Sequence, residues 1–258
     1  MTSYKIEAGT AQHIGNRPQQ NDRVALMTGA RAPGYALAVL SDGLGASGAA
    51  ASDQVLHTAK QVFDEFKPGD HPSVERLQQL LREIVQETHL VINMNAVATQ
   101  AEAHASFVGL VLTPHGEAVW AHVGDSRLYH FHEGKCLSRT SDAAYVEHLV
   151  SSDRLPLEAA KNHRKSKLLV NLLGNSRKDP FLTFGEGLGL AAGDVFLLCS
   201  DGLWHFFTDA ELGAATFKAT PRQASEMLIN KAGERSQGKG GNCSMAIVKL
   251  VKPGQPTA

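Results

Sequence analysis

Cysteine is scarce in this chain: three in 258 residues, and Cys136, Cys199 and Cys243 share no zinc-type spacing. That scarcity excludes a disulfide framework and a Cys-rich metal site. Cys199 and Cys243 lie in apolar runs and read as core thiols of a reducing compartment, so a cytoplasmic protein is expected. No apolar stretch approaches the ~20 residues that span a bilayer. Residues 1–15 contain no apolar core of a secretory signal, and none is expected. Neither sign of charge dominates: Lys and Arg number 25, Asp and Glu 26, for a net charge of −1. This balance argues against nucleic acid or an anionic membrane as the main partner. No Pro-, Ser- or Gly-rich linker, low-complexity tract or structural repeat divides the chain, so one domain over residues 1–258 is expected. A hydrophobic fraction of 43% is enough for a sizeable core.

What the chain does contain is a short echo. Ser41-Asp42-Gly43-Leu44 and Ser200-Asp201-Gly202-Leu203 nearly repeat each other, and each follows an apolar, strand-like run. A third acidic turn, Val123-Gly124-Asp125-Ser126, follows the run Ala118 to His122. In the last strand-like segment the chain reads Gly240-Gly241-Asn242-Cys243, with no carboxylate.

Periodicity orders the rest. Residues 4–14, 22–28 and 35–41 read as strands, with a turn at Ala32-Pro33-Gly34. Residues 47–66 and 72–99 are helical by period, and Ser73 is a plausible N-cap for the second. A strand meander is expected over 105–113, 117–123, 126–132 and 135–139. Residues 142–173 are polar and read as irregular helix. Strands at 181–185 and 194–200, helices at 208–217 and 221–235, a strand at 243–251 and a frayed tail at 252–258 complete the pass. Grouped strands with helices between them predict an α+β fold of sheet packed on sheet, with helix pairs on the outer faces.

Hard divalent ions such as Mg²⁺ and Mn²⁺ prefer carboxylate, carbonyl and water oxygens. Asp42 can bridge two such ions, the Gly43 carbonyl can add a backbone ligand, and Asp201 can close the site from the other half. A guanidinium would orient a phosphate by a bidentate contact, and Arg17 is the candidate. Taken singly, an Asp-Gly after a strand is commonly a turn. The twelve histidines are scattered, with His115, His130 and His132 at turns or on strand faces and His122 just before the Asp125 turn.

Taken in order, these motifs resemble those of the metal-dependent protein phosphatases of the PP2C (PPM) family, bacterial type. Gly15-Asn16-Arg17-Pro18-Gln19-Gln20-Asn21-Asp22 resembles the family's opening Arg-x-x-Asn-Glu/Gln-Asp segment. Leu40 to Gly45 resembles Ala-Asp-Gly-Met-Gly-Gly. His122 to Tyr129 matches the central Val-Gly-Asp-Ser-Arg segment, and Gly193-Asp194 with Leu197 to Trp204 matches Gly-Asp…Leu-Cys-Ser-Asp-Gly-Leu-Trp. The resemblance implies an α/β/β/α four-layer sandwich of two mainly antiparallel sheets covered by helix pairs. It also implies a binuclear Mn²⁺ or Mg²⁺ centre that hydrolyses phosphoserine or phosphothreonine on proteins, without a phosphoenzyme. Under it Asp42 bridges the ions, Gly43 and Asp201 are ligands, and Asp125 with Asp201 forms a third, weaker metal site. Arg17 holds the substrate phosphate, Asp22 orients water at the metals, and Asn21 and Asn242 stand behind the ligands. The polar segment 142–173 becomes a flap, and the protein is expected to act as a monomer on a kinase's phosphorylated product.

The departures from the family are specific. Its final Asp-Asn pair supplies a direct metal ligand, but here the pair is Gly241-Asn242. No Asp or Glu lies between Arg235 and Ala258, so a shifted alignment restores nothing. Asn21 is shorter than the usual Glu or Gln, and Leu44 stands where eukaryotic members carry His. Two functions follow. One is an active serine/threonine phosphatase. The other is a weakly active or inactive pseudophosphatase that binds phosphoproteins.

Overall fold

Two five-stranded antiparallel sheets face one another in the computed structural model, which describes residues 4–141 and 171–253. In chain order the strands are β1 (Lys5–His13), β2 (Arg23–Gly29), β3 (Ala32–Ser41), β4 (Gly43–Leu44), β5 (His104–Ala105) and β6 (Phe107–Leu112). They continue with β7 (Glu117–Val123), β8 (Arg127–His132), β9 (Lys135–Arg139), β10 (Thr183–Leu188), β11 (Asp194–Cys199) and β12 (Cys243–Val251). The helices are α1 (Gly48–Glu65), α2 (Val74–Thr99), α3 (Asp201–Trp204), α4 (Asp209–Lys218) and α5 (Pro221–Ser236). One sheet runs β1-β12-β11-β8-β9 and the other β10-β7-β6-β3-β2, while β4 and β5 form a small ladder of their own.

Strand alternation builds three apolar layers. Leu40, Leu110, Trp120, Leu128, Phe196 and Ala246 point between the sheets and are buried. Their neighbours Leu37, Val39, Val119 and Ala121 point outward, under Val55 and Phe63 of α1 and Leu81 and Ile84 of α2. On the other sheet Tyr129, Leu197 and Ile247 meet Leu212 of α4 and Leu228 of α5. A strand with period two thus feeds one core from each face, which requires helices on both outsides. The expected α/β/β/α layering is the observed one.

The expected bounds shift in places for local reasons. β3 begins at Ala32, because the anticipated turn is absorbed into the strand as an irregularity between Thr28 and Gly29. The expected strand over 105–113 is split: Ala105 pairs with β4, Phe107 onward pairs with β3 and β7, and Ser106 lies between. The strand expected at 181–185 lies instead at Thr183–Leu188, in register with Glu117–His122 of β7. Of the segment 142–173, residues 142–170 fall outside the described residues. Residues 171–173 are not helical, and Leu173 makes an isolated bridge to Ala105. Capping is legible: Ser73 accepts from Arg76 N, and Thr208 and Thr220 form reciprocal capping boxes with Glu211 and Gln223. Cys199 and Cys243 are buried free thiols and Cys136 is exposed. Among the described residues no helix is long and apolar enough to cross a membrane.

Candidate metal and phosphate site

The Ser-Asp-Gly echo marks two equivalent positions at one end of the sandwich, where β3 and β11 run out. Both serines are fully buried and serve as anchors. Ser41 Oγ donates to Ser106 O at 2.8 Å, and Ser106 Oγ accepts from Asp42 N at 2.9 Å. Ser106 Oγ also lies 2.7 Å from Ser126 Oγ, in the third acidic turn. On the other sheet Ser200 Oγ donates to Asp22 Oδ2 at 2.7 Å and accepts from Ser244 N at 3.0 Å. The carboxylates of Asp42 and Asp201 are therefore each positioned by the residue before them. The glycines act by close approach: a Cβ on Gly43 would collide with Gly48 O, and one on Gly202 with Asn242 O. Gly202 sits inside the short helix α3, which the expected turn at this point had obscured.

Asp125 completes the acidic wall. Gly124 before it has φ +91°, a left-handed conformation that favours glycine. The turn is fixed to α3, because Trp204 Nε1 donates to Asp125 O at 3.0 Å. The Arg127 guanidinium lies 3.4 Å over the Trp204 ring. His205 Nδ1 stands 3.7 Å from Asp201 Oδ2.

The β1–β2 loop carries Arg17, Asn21 and Asp22. Asn242 staples it down: its Nδ2 donates to Ile14 O at 2.8 Å and Gln19 O at 3.0 Å, and its Oδ1 accepts from Asn21 N at 2.8 Å. A clamp on the loop is thus the observed contact of Asn242. Gly241 lies against the same loop. A Cβ there would stand 3.7 Å from Arg17 Nε and 3.8 Å from Nη2.

Arg17, Asn21, Asp42, Gly43, Asp125, Asp201, Gly241 and Asn242 line a single cleft of about 590 Å³. Asp22 is fully buried and stands apart from that lining. Burial, followed by the charges of Asp22, Asp201 and Asp125, pushes the Asp42 carboxyl up to about 10. Burial likewise raises Asp22, against hydrogen bonds from Ser200 and Ser244 that lower it. A carboxyl held neutral by its neighbours is a site short of positive charge. Asn21 adds a buried Oδ1 without a hydrogen-bond partner. Among the described residues no three His, Cys, Asp or Glu side chains form a ready ligand cage. This donor set fits a hydrated hard cation, which keeps several waters, and does not fit zinc.

Among the described residues the histidines do not join the site, apart from His205. His122 is buried beside Thr183, and burial and then Arg127 lower its pKa to about 4. His130 Nε2 and His132 Nδ1 lie 3.0 and 2.9 Å from Asp194 Oδ1, at the other end of β8 and β11. Ser41, Ser200 and Trp204 stand in the sequence motifs with no role assigned to them, and Ser106 lies outside those motifs. The available signal was the serine repeated before each Asp-Gly.

The architecture defines the class. The chain superposes on the serine/threonine phosphatase of S. agalactiae with a TM-score of 0.78 at 22% identity, over 95% of this chain and 99% of that one. It also superposes on the catalytic domain of serine threonine protein phosphatase PstP in complex with two manganese ions, with a TM-score of 0.66 at 22% identity over 95% and 98%. The two sheets and their helices are thus the protein phosphatase 2C fold. A family model described as Protein phosphatase 2C matches residues 9–232, and the chain belongs to that family. The serine/threonine protein phosphatase PstP of Mycobacterium tuberculosis is 30% identical over 220 residues, 82% of this chain. The chain spans 39% of that relative's length.

Proposed function

We propose that this chain hydrolyses phosphoserine and phosphothreonine on proteins with the aid of Mn²⁺ or Mg²⁺. The observation that carries the reading is the convergence of Asp42, Asp125 and Asp201 with Arg17 on one cleft. The Asp42 carboxyl, pushed up to about 10, calls for positive charge beside it. Asp42, the Gly43 carbonyl and Asp201 would hold two ions, and Asp125 with Asp201 a third, weaker one. When bound, such ions lower the pKa of a shared water and offset charge on the phosphoryl oxygens. Arg17 would bind and orient the phosphate through its guanidinium fork. Asp22, fixed by Ser200 and hydrogen-bonded to Asp42, would stand behind the ions and act on their water through Asp42, with Asn21 on the cleft lining. Asn242 holds the Arg17 loop in place. The pairing of the first strand with the last supports one domain acting as a unit, and three free cysteines suit a reducing, cytoplasmic compartment.

Gly241 supports a second reading, a pseudophosphatase that binds phosphoproteins and turns them over weakly or not at all. It leaves the cleft one carboxylate short beside Arg17. Assays on p-nitrophenyl phosphate and a phosphothreonine peptide across a Mn²⁺ series separate the two. We expect turnover that Asp42→Ala abolishes. No turnover at millimolar Mn²⁺ would overturn the enzyme reading in favour of the binding module.

A further inference from the structure

Arg17 and Lys239 line the same cleft, one from the β1–β2 loop and the other from the α5–β12 loop. Among the described residues neither side chain makes a hydrogen bond or an ion pair. The loops that carry them are fastened together. Asn16 N donates to Gly240 O at 2.9 Å, and Asn242 bonds Ile14, Gln19 and Asn21. The two cations are thus presented on one pre-assembled edge, which lowers the ordering cost of binding an anion.

Gly241 lies between Lys239 and the Asn242 staple, and its conformation does not demand glycine: its φ is not in the left-handed region. A side chain there would grow toward the Arg17 guanidinium into ordinary van der Waals distance, with no backbone in its way. A carboxylate at this position would be a direct ion-pair partner for Arg17. Its absence leaves Arg17, like Lys239, without an ion-pair partner among the described residues.

We propose that Arg17 and Lys239 form a clamp that binds the phosphate dianion of phosphoserine or phosphothreonine without any metal ion. The inference rests on reading this cleft as a phosphoprotein site, and it adds Lys239 and metal independence to that reading. The chemistries are complementary: a guanidinium offers two parallel N–H donors, an ammonium a compact point charge. A phosphate monoester carries close to two negative charges at pH 7 and three acceptor oxygens. The carboxylates of Asp125 and Asp201, which line the same cleft, repel that anion and confine it to the basic edge. Such a protein retains a phosphorylated partner when divalent cations are scarce.

The test is an NMR titration of the ¹⁵N-labelled full chain in EDTA with inorganic phosphate, a phosphothreonine peptide and its unphosphorylated form. Inorganic phosphate and the phosphopeptide should each shift the amides of Gly240, Gly241 and Asn242, and the unphosphorylated peptide should not. Lys239→Gln should weaken binding about tenfold and Arg17→Gln more, as expected for lost charge-assisted hydrogen bonds. Lys231→Gln, on the exposed face of α5, should change nothing. Gly241→Asp should weaken phosphate binding at least about tenfold by pairing with Arg17, while Gly241→Ala, its control for folding, leaves it intact. Absence of phosphate binding in EDTA, wild-type affinity in Lys239→Gln, or equal binding of both peptides would each overturn the clamp. Mn²⁺-dependent turnover on the same preparation keeps the two ideas apart. Turnover without metal-free phosphate binding defeats the clamp alone; metal-free binding without turnover at millimolar Mn²⁺ upholds it and defeats the phosphatase reading.

Discussion

Trp204 Nε1 donates to Asp125 O at 3.0 Å, so the turn bearing one cleft carboxylate is tied to the helix bearing another. The indole is held in turn under the Arg127 guanidinium. Trp204→Phe keeps most of the ring and removes the donor. It should cost about 1 kcal/mol, the net worth of a typical hydrogen bond. For a chain of this size that is a fall in melting temperature of about 2–4 °C. Trp204→Ala should cost more, because the guanidinium also loses its aromatic face. Calorimetry reads both, and an unchanged melting temperature in Trp204→Phe would show that the tie carries no weight.

Gly202 and Gly233 make a matched pair of opposite sign. Both lie in helices, but a Cβ on Gly202 would strike Asn242 O, whereas one on Gly233 meets nothing within 4 Å. Gly202→Ala must therefore displace the start of β12 and the Asn242 staple, at about 1–3 kcal/mol of overpacking. Gly233→Ala removes only backbone freedom from the unfolded chain and should stabilise by about 0.5–1 kcal/mol. Urea unfolding of the two variants should move the midpoint in opposite directions. A shift in the same direction would contradict the close approach at Gly202.

How much of this was legible depended on whether the information was local. Asp42, Asp125 and Asp201 stood out because each closes an apolar run within a few residues, and the alternation of β3, β7 and β11 is plain in their side chains. The two-residue strand at Gly43–Leu44 has no periodicity to read. Its pairing with His104–Ala105 depends on residues ~60 positions away, consistent with the limits of local pattern. Ser41 and Ser200 looked like punctuation because a buried hydroxyl and an exposed one are spelled the same way. Their roles appeared only once Ser106, Ser244 and Asp22 had been brought beside them. Asn242 was expected near the metals through family resemblance, but its three hydrogen bonds to the β1–β2 loop are a product of the β1–β12 pairing.

Asp194 gives the fold a pH-dependent contribution far from the cleft. Burial alone would raise its carboxyl, but hydrogen bonds from His130, Ala191 N and His132 outweigh it and hold the carboxyl below its usual value. A depressed folded pKa means stability that is present above the unfolded value of about 3.9 and lost as pH falls through the lower folded value. Asp194→Ala should therefore be destabilised by about 3 kcal/mol at neutral pH, because it strands the buried His130. The gap to wild type should narrow below pH 4. Urea titrations at pH 7 and pH 3 check this, and an equal gap at both would assign the loss to packing alone.

Gly241→Asp puts two demands on one carboxylate. It stands within reach of Arg17, so in the absence of metal the guanidinium is its partner and the phosphate loses a contact. With Mn²⁺ present the cleft already holds Asp42, Asp125 and Asp201, which repel a further anion unless cations sit among them. The added carboxylate should therefore bring cations in more tightly. Losing a supporting group around a metal costs about 10–100-fold in affinity, and a direct ligand should count for at least as much in the reverse direction. Calorimetry should show Mn²⁺ affinity rising by about tenfold or more, with phosphatase rate rising alongside it. No gain in Mn²⁺ affinity would mean that position 241 does not face the ions, and that the cleft's missing ligand lies elsewhere or is not missing.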